Sequence, residues 1–197
     1  MLYRFLQFIF FILLKIIYRV EITGKEYIPQ KGPFILCSNH QSIIDPVIIT
    51  ANFKIPIHWM AKKELFEHKF FGSFISTLGA FPIDRQGNDI KAIKTAMRYI
   101  KNGEVIGIFP EGTRMKEKNY SQIKAGTALI AHRTKASVLP VYIEGNYKIF
   151  RKMKIHFRPA IHFDSRVKLT SEEYEGLSQD IMRRIYGDEE IHGNLLG

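Results

Sequence analysis

The sequence predicts an α/β protein: a single domain with a mixed, largely parallel sheet covered by helices, preceded by an N-terminal membrane-associated apolar helix. Three observations predict it. Short, β-prone apolar runs alternate with helical periodicities along most of the chain. A length of 197 residues suits one domain with a full core, and 46% hydrophobic content with 13% aromatics excludes disorder. The first twenty residues are almost wholly apolar. No repeat, low-complexity tract or domain break interrupts the chain. The organisation is therefore 1–20 as an interfacial membrane helix, 21–190 as the folded domain and 191–197 as a loose tail.

In residues 1–20 the polar positions are Arg4, Gln7, Lys15 and Arg19. At ~100° per residue they fall within about a third of a helix circumference. The uninterrupted apolar run 8–14 is shorter than the roughly 20 residues that span a bilayer. Snorkelling by Lys15 and Arg4 would lengthen it. Residues 15–19 offer no small-residue cleavage site, which argues against a signal peptide. A helix lying in one leaflet, basic stripe toward the head groups, fits best; a core helix is the alternative.

Residues 20–23 read as a short strand, followed by turns at Gly24 and across 29–33. Phe34-Ile35-Leu36-Cys37, opened by Gly32-Pro33, is a buried strand. Asp45-Pro46 starts a helix over 46–53, with aspartate as N-cap and proline at the first helical position. Ser42-x-x-Asp45 also resembles a capping box. A strand follows at 57–60. Residues 64–78, with dense phenylalanine beside lysine, are either helical core or a lipid-facing or acyl-lining surface, and both readings stay open. A brief strand at 81–83 ends in Asp84-Arg85. Asn88 caps a helix to Asn102, with Gly103 just beyond. A strand over 105–109 leads into Pro110-Glu111-Gly112-Thr113-Arg114. A helix over 126–133 and a strand over 137–143 come next. Residues 154–157 and 161–163 suggest a hairpin through Arg158-Pro159. Thr170-x-x-Glu173 opens a last helix reaching about residue 186.

The chemistry gathers at strand ends. His40 closes the Phe34 strand, where open α/β sheets keep their ligand sites. With an unperturbed pKa near 6.5, an imidazole can accept a proton at neutral pH, and a carboxylate on its far nitrogen fixes tautomer and orientation. Asp45 stands five residues on. Arg85 follows the 81–83 strand, Glu111 and Arg114 follow 105–109, and Lys124 comes shortly after. Arginines offer forked donors that match phosphate oxygens, and lysine adds a point charge. Glu111-Gly112-Thr113-Arg114 is a tight turn able to aim backbone N–H groups and a guanidinium at an anion. The 29 basic and 19 acidic residues leave a charge of +10, which attracts polyanions. Cys37 is the single cysteine, so no internal disulfide forms; it reads as a small buried hydrophobe.

Four blocks carry a resemblance. Asn39-His40-Gln41-Ser42-Ile43-Ile44-Asp45, Gly79-Ala80-Phe81-Pro82-Ile83-Asp84-Arg85, Phe109-Pro110-Glu111-Gly112-Thr113-Arg114 and Val138-Leu139-Pro140-Val141-Tyr142 look like the successive motifs of the glycerolipid acyltransferases. They occur in that family's order and spacing. The subgroup most resembled makes phosphatidic acid from 1-acyl-glycerol-3-phosphate, and the resemblance makes 21–190 an acyltransferase domain. It implies that His40 is the general base for the sn-2 hydroxyl of the lysophosphatidic acid acceptor and that Asp45 orients it. Arg85, Arg114 and Lys124 would hold the acceptor phosphate. Glu111, with Gly112 and Thr113, would position the acceptor or secure the arginines, and Pro140 would shape the site. The donor would be an acyl thioester, on CoA or acyl carrier protein. No metal or other cofactor is implied, and the seven histidines show no metal-ligand spacing. The apolar helix and the positive charge would hold the protein, monotopic or peripheral, on an anionic membrane surface at the cytoplasmic face of a bacterial cell membrane.

Other readings fare less well. A serine hydrolase would need G-x-S-x-G, which the chain lacks. A nucleic-acid-binding protein would use the charge but leave the His–Asp pair and the apolar helix unexplained. A membrane lipid-binding protein without catalysis is the non-enzyme alternative. Glycerol-3-phosphate or another lysophospholipid is the alternative acceptor.

Overall fold

In the computed structural model, which describes residues 5, 8, 9, 12, 17–84, 89–115, 117, 118, 120, 123–163 and 168–188, the apolar runs assemble side by side. Among the described residues they make one seven-stranded sheet. Its strands are β1 (Arg19–Thr23), β2 (Phe34–Ser38), β3 (Ile57–Lys62), β4 (Phe81–Ile83), β5 (Val105–Ile108), β6 (Ser137–Gly145) and β7 (Lys152–Phe157). The spatial order is β1-β7-β6-β2-β5-β3-β4. β6, β2, β5, β3 and β4 run parallel; β7 is antiparallel to β6 and carries β1 parallel to itself. The expected mixed, largely parallel sheet is the observed one.

The α-helices between and after the strands are α1 (Asp45–Ala51), α2 (Lys69–Thr77), α3 (Ile90–Lys101), α4 (Gly126–Thr134) and α5 (Ser171–Tyr186). All five residues of β2 are buried, as a central parallel strand covered on both faces must be. Strand alternation divides the core. Ile35, Cys37, Ile106 and Val138 pack with Ala96, Ile100, Ala128 and Ile181 from α3, α4 and α5. Phe34, Leu36, Val105 and Leu139 pack on the other face with Ile48 and Ile49 of α1. Thr170 and Glu173 form the expected capping box of α5, Thr170 N–H donating to Glu173 Oε2 at 2.6 Å.

Several expectations are corrected. Asp45 is the first residue of α1 and does not cap it; the N-cap position is Ile44, and the Asp45 carboxylate turns back toward the preceding loop. α3 is capped by Asp89, whose carboxylate accepts the Ala92 N–H at 2.8 Å; Asn88 lies outside the described residues. Residues 154–157 and 161–163 form no hairpin. Both segments lie along β6, where Phe157 pairs with Val141 and Ile161 with Val138, so Arg158-Pro159 is an extra-residue interruption of one line. The stretch 64–78 is not helical core, since α2 buries only Gly72.

The helix expected over 1–20 falls largely outside the described residues; Phe5, Phe8, Ile9 and Ile12 are helical and exposed, while Ile17, Tyr18 and Val20 pack on the core. Among the described residues no helix is long and apolar enough to cross a membrane. Arg85 and the tail 191–197 also lie outside them.

Gly107, at the centre of β5, shows how closely this sheet is packed. A Cβ there would lie 2.4 Å from the Trp59 ring, so only glycine lets the indole lie flat across the strand. Gly107→Ala is expected to lower stability by about 1–3 kcal/mol in chemical denaturation, with the denaturant slope unchanged; an unchanged midpoint would contradict this packing.

Candidate active site

The carboxyl ends of four parallel strands line up in the order β2, β5, β3, β4. They deliver His40, Glu111, Lys62–Lys63 and Asp84 to one edge of the sheet. β2 has β5 on one side and β6 on the other, so the chain leaves its end in a crevice between diverging connections. Asn39 fixes the exit. Its side-chain amide donates to Ile143 O at 2.9 Å, and its carbonyl accepts the Ile143 N–H at 2.8 Å.

His40 Nδ1 lies 3.0 Å from Asp45 Oδ2. The carboxylate is wholly buried, and both of its oxygens accept hydrogen bonds. Oδ2 also accepts the Gln41 and Ser42 N–H groups, each at 2.7 Å, and Oδ1 accepts the Tyr147 hydroxyl at 2.6 Å. With every other neighbour a donor, the carboxylate accepts from Nδ1 as well. That assigns the imidazole proton to Nδ1 and leaves the Nε2 lone pair to a reacting group. The ring is stacked on Phe109 at a centroid distance of 4.0 Å, and Phe109 on Trp59 at 4.8 Å. Imidazole rotation is thus blocked by an aromatic wall on one face and by the carboxylate at one edge.

Glu111 supports the same loop from beneath. Its Oε2 accepts the His40 N–H at 2.8 Å and its Oε1 the Tyr186 hydroxyl at 2.8 Å. Burial pushes the Glu111 carboxyl up to about 7; the Tyr186 and His40 donors pull down, and nearby Asp45 pushes up again. Burial also raises the Tyr147 and Tyr186 hydroxyls, so both stay protonated as donors.

Gly112 has φ +65°, a left-handed turn that glycine adopts without strain, and the Lys124 side chain passes over it: a Cβ there would lie 4.0 Å from Lys124 Cε. Thr113 and Arg114 are exposed beyond it. Met115 N–H donates to His40 O at 2.8 Å, which ties this loop to the His40 loop. His40, Asp45, Glu111, Gly112, Thr113, Arg114 and Lys124 therefore share one neighbourhood. Arg85 lies outside the described residues; its neighbour Asp84 ends β4, about 15 Å across the sheet from β2 at ~4.8 Å per strand, and pairs with Lys63. A cavity of about 850 Å³ opens at the other end of the sheet, between Ile22, Ala51, Phe53 and Phe157, and holds none of these residues.

Sequence reasoning missed Tyr147 and Tyr186, which steady the two carboxylates from distant segments. Nothing in their local sequence signals it. The Asn39 clasp had a signal: an amide at the end of a buried strand needs partners.

The acyltransferase family's model matches residues 19–144. A 1-acyl-sn-glycerol-3-phosphate acyltransferase of Bacillus subtilis is 34% identical over 160 residues, covering 78% of this chain and 79% of its own. Its counterpart in Borreliella burgdorferi is 30% identical over 182 residues, covering 85% and 70%. The crystal structure of the 1-acyl-sn-glycerophosphate (LPA) acyltransferase PlsC from Thermotoga maritima superposes with a TM-score of 0.68 at 26% identity, covering 91% of this chain and 73% of that one.

The raised Glu111 carboxyl has a thermodynamic consequence. A folded-state value above the unfolded one means the native protein holds this proton more tightly, so the stabilisation is complete below about pH 4.5 and is lost as pH rises through about 7. The stability of the native protein relative to Glu111→Gln should therefore fall across that window, measured by chemical denaturation at stepped pH. Parallel stability curves would contradict the assignment.

Proposed function

The chain belongs to the acyltransferase family, and from that premise we propose that it transfers an acyl group from an acyl thioester to the sn-2 hydroxyl of 1-acyl-glycerol-3-phosphate, giving phosphatidic acid. The observation that carries this reading is the 3.0 Å His40–Asp45 contact standing beside the loop of Glu111 and Arg114. The names of the relatives supply the acceptor.

His40 Nε2 takes the proton of the acceptor hydroxyl as its oxygen attacks the thioester carbonyl. The new C–O bond forms, the C–S bond breaks, and the imidazolium returns the proton to the departing thiolate. Asp45 supports the imidazolium; general-base assistance of this kind is worth ~10²–10⁴-fold. The developing oxyanion is met by backbone N–H groups. Arg85, Arg114 and Lys124 hold the acceptor phosphate, which suits forked and point-charge donors. Glu111 bridges the His40 loop and α5, so it secures the loop bearing Arg114 rather than meeting the substrate. This chemistry calls on no metal or organic cofactor.

The donor is acyl-CoA or acyl carrier protein, whose phosphorylated prosthetic arm suits a protein of +10 charge. Acceptor and product both live in a bilayer, which fits attachment to the anionic, cytoplasmic leaflet of a cell membrane through the apolar N-terminal stretch. A site at the lipid surface spares the acyl chain a passage through water, which costs about 0.8 kcal/mol per CH₂.

Purified protein offered both donors against lysophosphatidate and glycerol-3-phosphate is expected to acylate lysophosphatidate, with no loss of rate in a chelator. Failure with every pair would remove the assignment. His40→Ala should lower kcat by about 10²–10⁴ while lysophosphatidate binding persists; equal loss of both would favour a binding protein. Tyr147→Phe removes one donor from a buried carboxylate and is expected to lower kcat about tenfold at nearly constant acceptor KM. A rate equal to the parent's would remove Tyr147 from the positioning of Asp45.

A further inference from the structure

Three phenylalanines of α2 point away from the protein. Phe70 is 95% exposed, Phe71 41% and Phe74 37%, and the residue turned inward is Gly72, where a Cβ would lie 2.6 Å from Phe66 O. At ~100° per residue, Phe70, Phe74, Leu78, Phe71 and Ile75 cover about 140° of the helix. Lys69, Ser73, Ser76 and Thr77 lie on the other side. The helix is amphipathic, yet Phe70, Phe71 and Phe74 of its apolar arc stand exposed together with its polar side, and only Ile75 and Leu78 of that arc are half-buried.

Its position adds a second observation. The chain enters α2 from the carboxyl end of β3 and returns to Phe81, which pairs with Met60 near that same end. β3 is two strands from β2, about 10 Å. The start of α2, which carries Phe70 and Phe71, therefore leaves from the edge of the molecule that carries His40, while its far end returns to His58 through Gly79. On that edge Ile43, in the loop between His40 and Asp45, is itself 58% exposed. Cations border the arc: Lys62 and Lys69 are exposed, and Lys69 makes no ion pair with a described residue. An exposed aromatic face rimmed by lysines, in a chain of +10 charge, matches an anionic phospholipid leaflet, with rings among acyl chains and ammonium groups at head-group phosphates.

We infer that the Phe70–Phe71–Phe74 face of α2 is a membrane-docking surface, separate from the N-terminal apolar stretch, that seats the His40 edge of the sheet on an anionic leaflet. Two contacts at different points fix the orientation of the molecule, where one would leave it free to swing. The inference deepens the acyl-transfer reading and rests on it for its purpose: the cleft opens toward the surface that holds the acceptor.

The test uses the full chain. Cys37 is wholly buried and is the chain's one cysteine, so Phe70→Cys can be labelled selectively with a polarity-sensitive fluorophore. Asn102→Cys, exposed beyond the far end of α3, serves as the control. With phosphatidylglycerol-containing vesicles, the Phe70 probe should shift to the blue and be quenched by lipid-borne nitroxides, while the Asn102 probe stays water-like. Phe70→Ser with Phe71→Ser should weaken vesicle partitioning about tenfold or more, and leave acyl transfer to a short-chain, monomeric lysophosphatidate in vesicle-free solution unchanged. A Phe70 probe that remains water-like on protein bound to vesicles overturns the proposal, as does failure to bind vesicles. A concentration-dependent blue shift without lipid also overturns it, marking the face as a contact between copies of the chain. Insertion of the probe by a protein that transfers no acyl group would sink the catalytic reading alone.

Discussion

A buried carboxylate that must find its donors inside the protein is the constraint on which the site is built. Removing Asp45 from water is costly unless each oxygen finds donors, and the chain supplies four: two consecutive N–H groups, a tyrosine hydroxyl and an imidazole nitrogen. Those donors explain the local sequence. The tight loop from His40 to Ser42 exists to aim two N–H groups inward, and Pro46 continues directly into α1 because it has no N–H of its own to satisfy. The aromatic stack of Trp59, Phe109 and His40 then takes away the imidazole's remaining freedom, and Gly107 makes room for it.

Around that carboxylate the fold is a device for bringing distant segments to one edge. β2 leads to His40 and β5 to the loop of Glu111 and Arg114; the turn after β6 provides Tyr147 and the end of α5 provides Tyr186. Tyr147 belongs to a turn that also meets the start of the domain. The Tyr18 hydroxyl donates to Tyr147 O at 3.2 Å, and Phe150 N–H donates to Ile17 O at 2.6 Å. Residues at the end of the apolar N-terminal stretch thus touch the turn that holds Asp45. The end of that stretch and the His40–Asp45 pair are joined through one turn.

Much of this was legible in the sequence, for physical reasons. Strands of a covered parallel sheet are short, continuous apolar runs, so β2, β5 and β6 were readable almost to the residue, and so was the place of His40, two residues beyond the end of β2. The capping box of α5 and the glycine beyond α3 are local signals and also held. What failed depended on packing at a distance. Asp45 has the sequence of an N-cap, but a nearby imidazole and two N–H groups offered its carboxylate better partners than its own helix. Arg158-Pro159 has the sequence of a turn, yet pairing with β6 keeps the chain running on. The stretch 64–78 was ambiguous because periodicity marks an amphipathic face without saying what covers it.

The account rests on one tautomer: the proton on Nδ1, held by Asp45, and an open lone pair on Nε2. Nitrogen-15 NMR of histidine-labelled protein, with His40 identified by its absence from the His40→Gln spectrum, reads this directly. The account predicts a protonated, pyrrole-like Nδ1 and an unprotonated, pyridine-like Nε2 in the neutral imidazole. The opposite tautomer, with Nε2 carrying the proton, would contradict it.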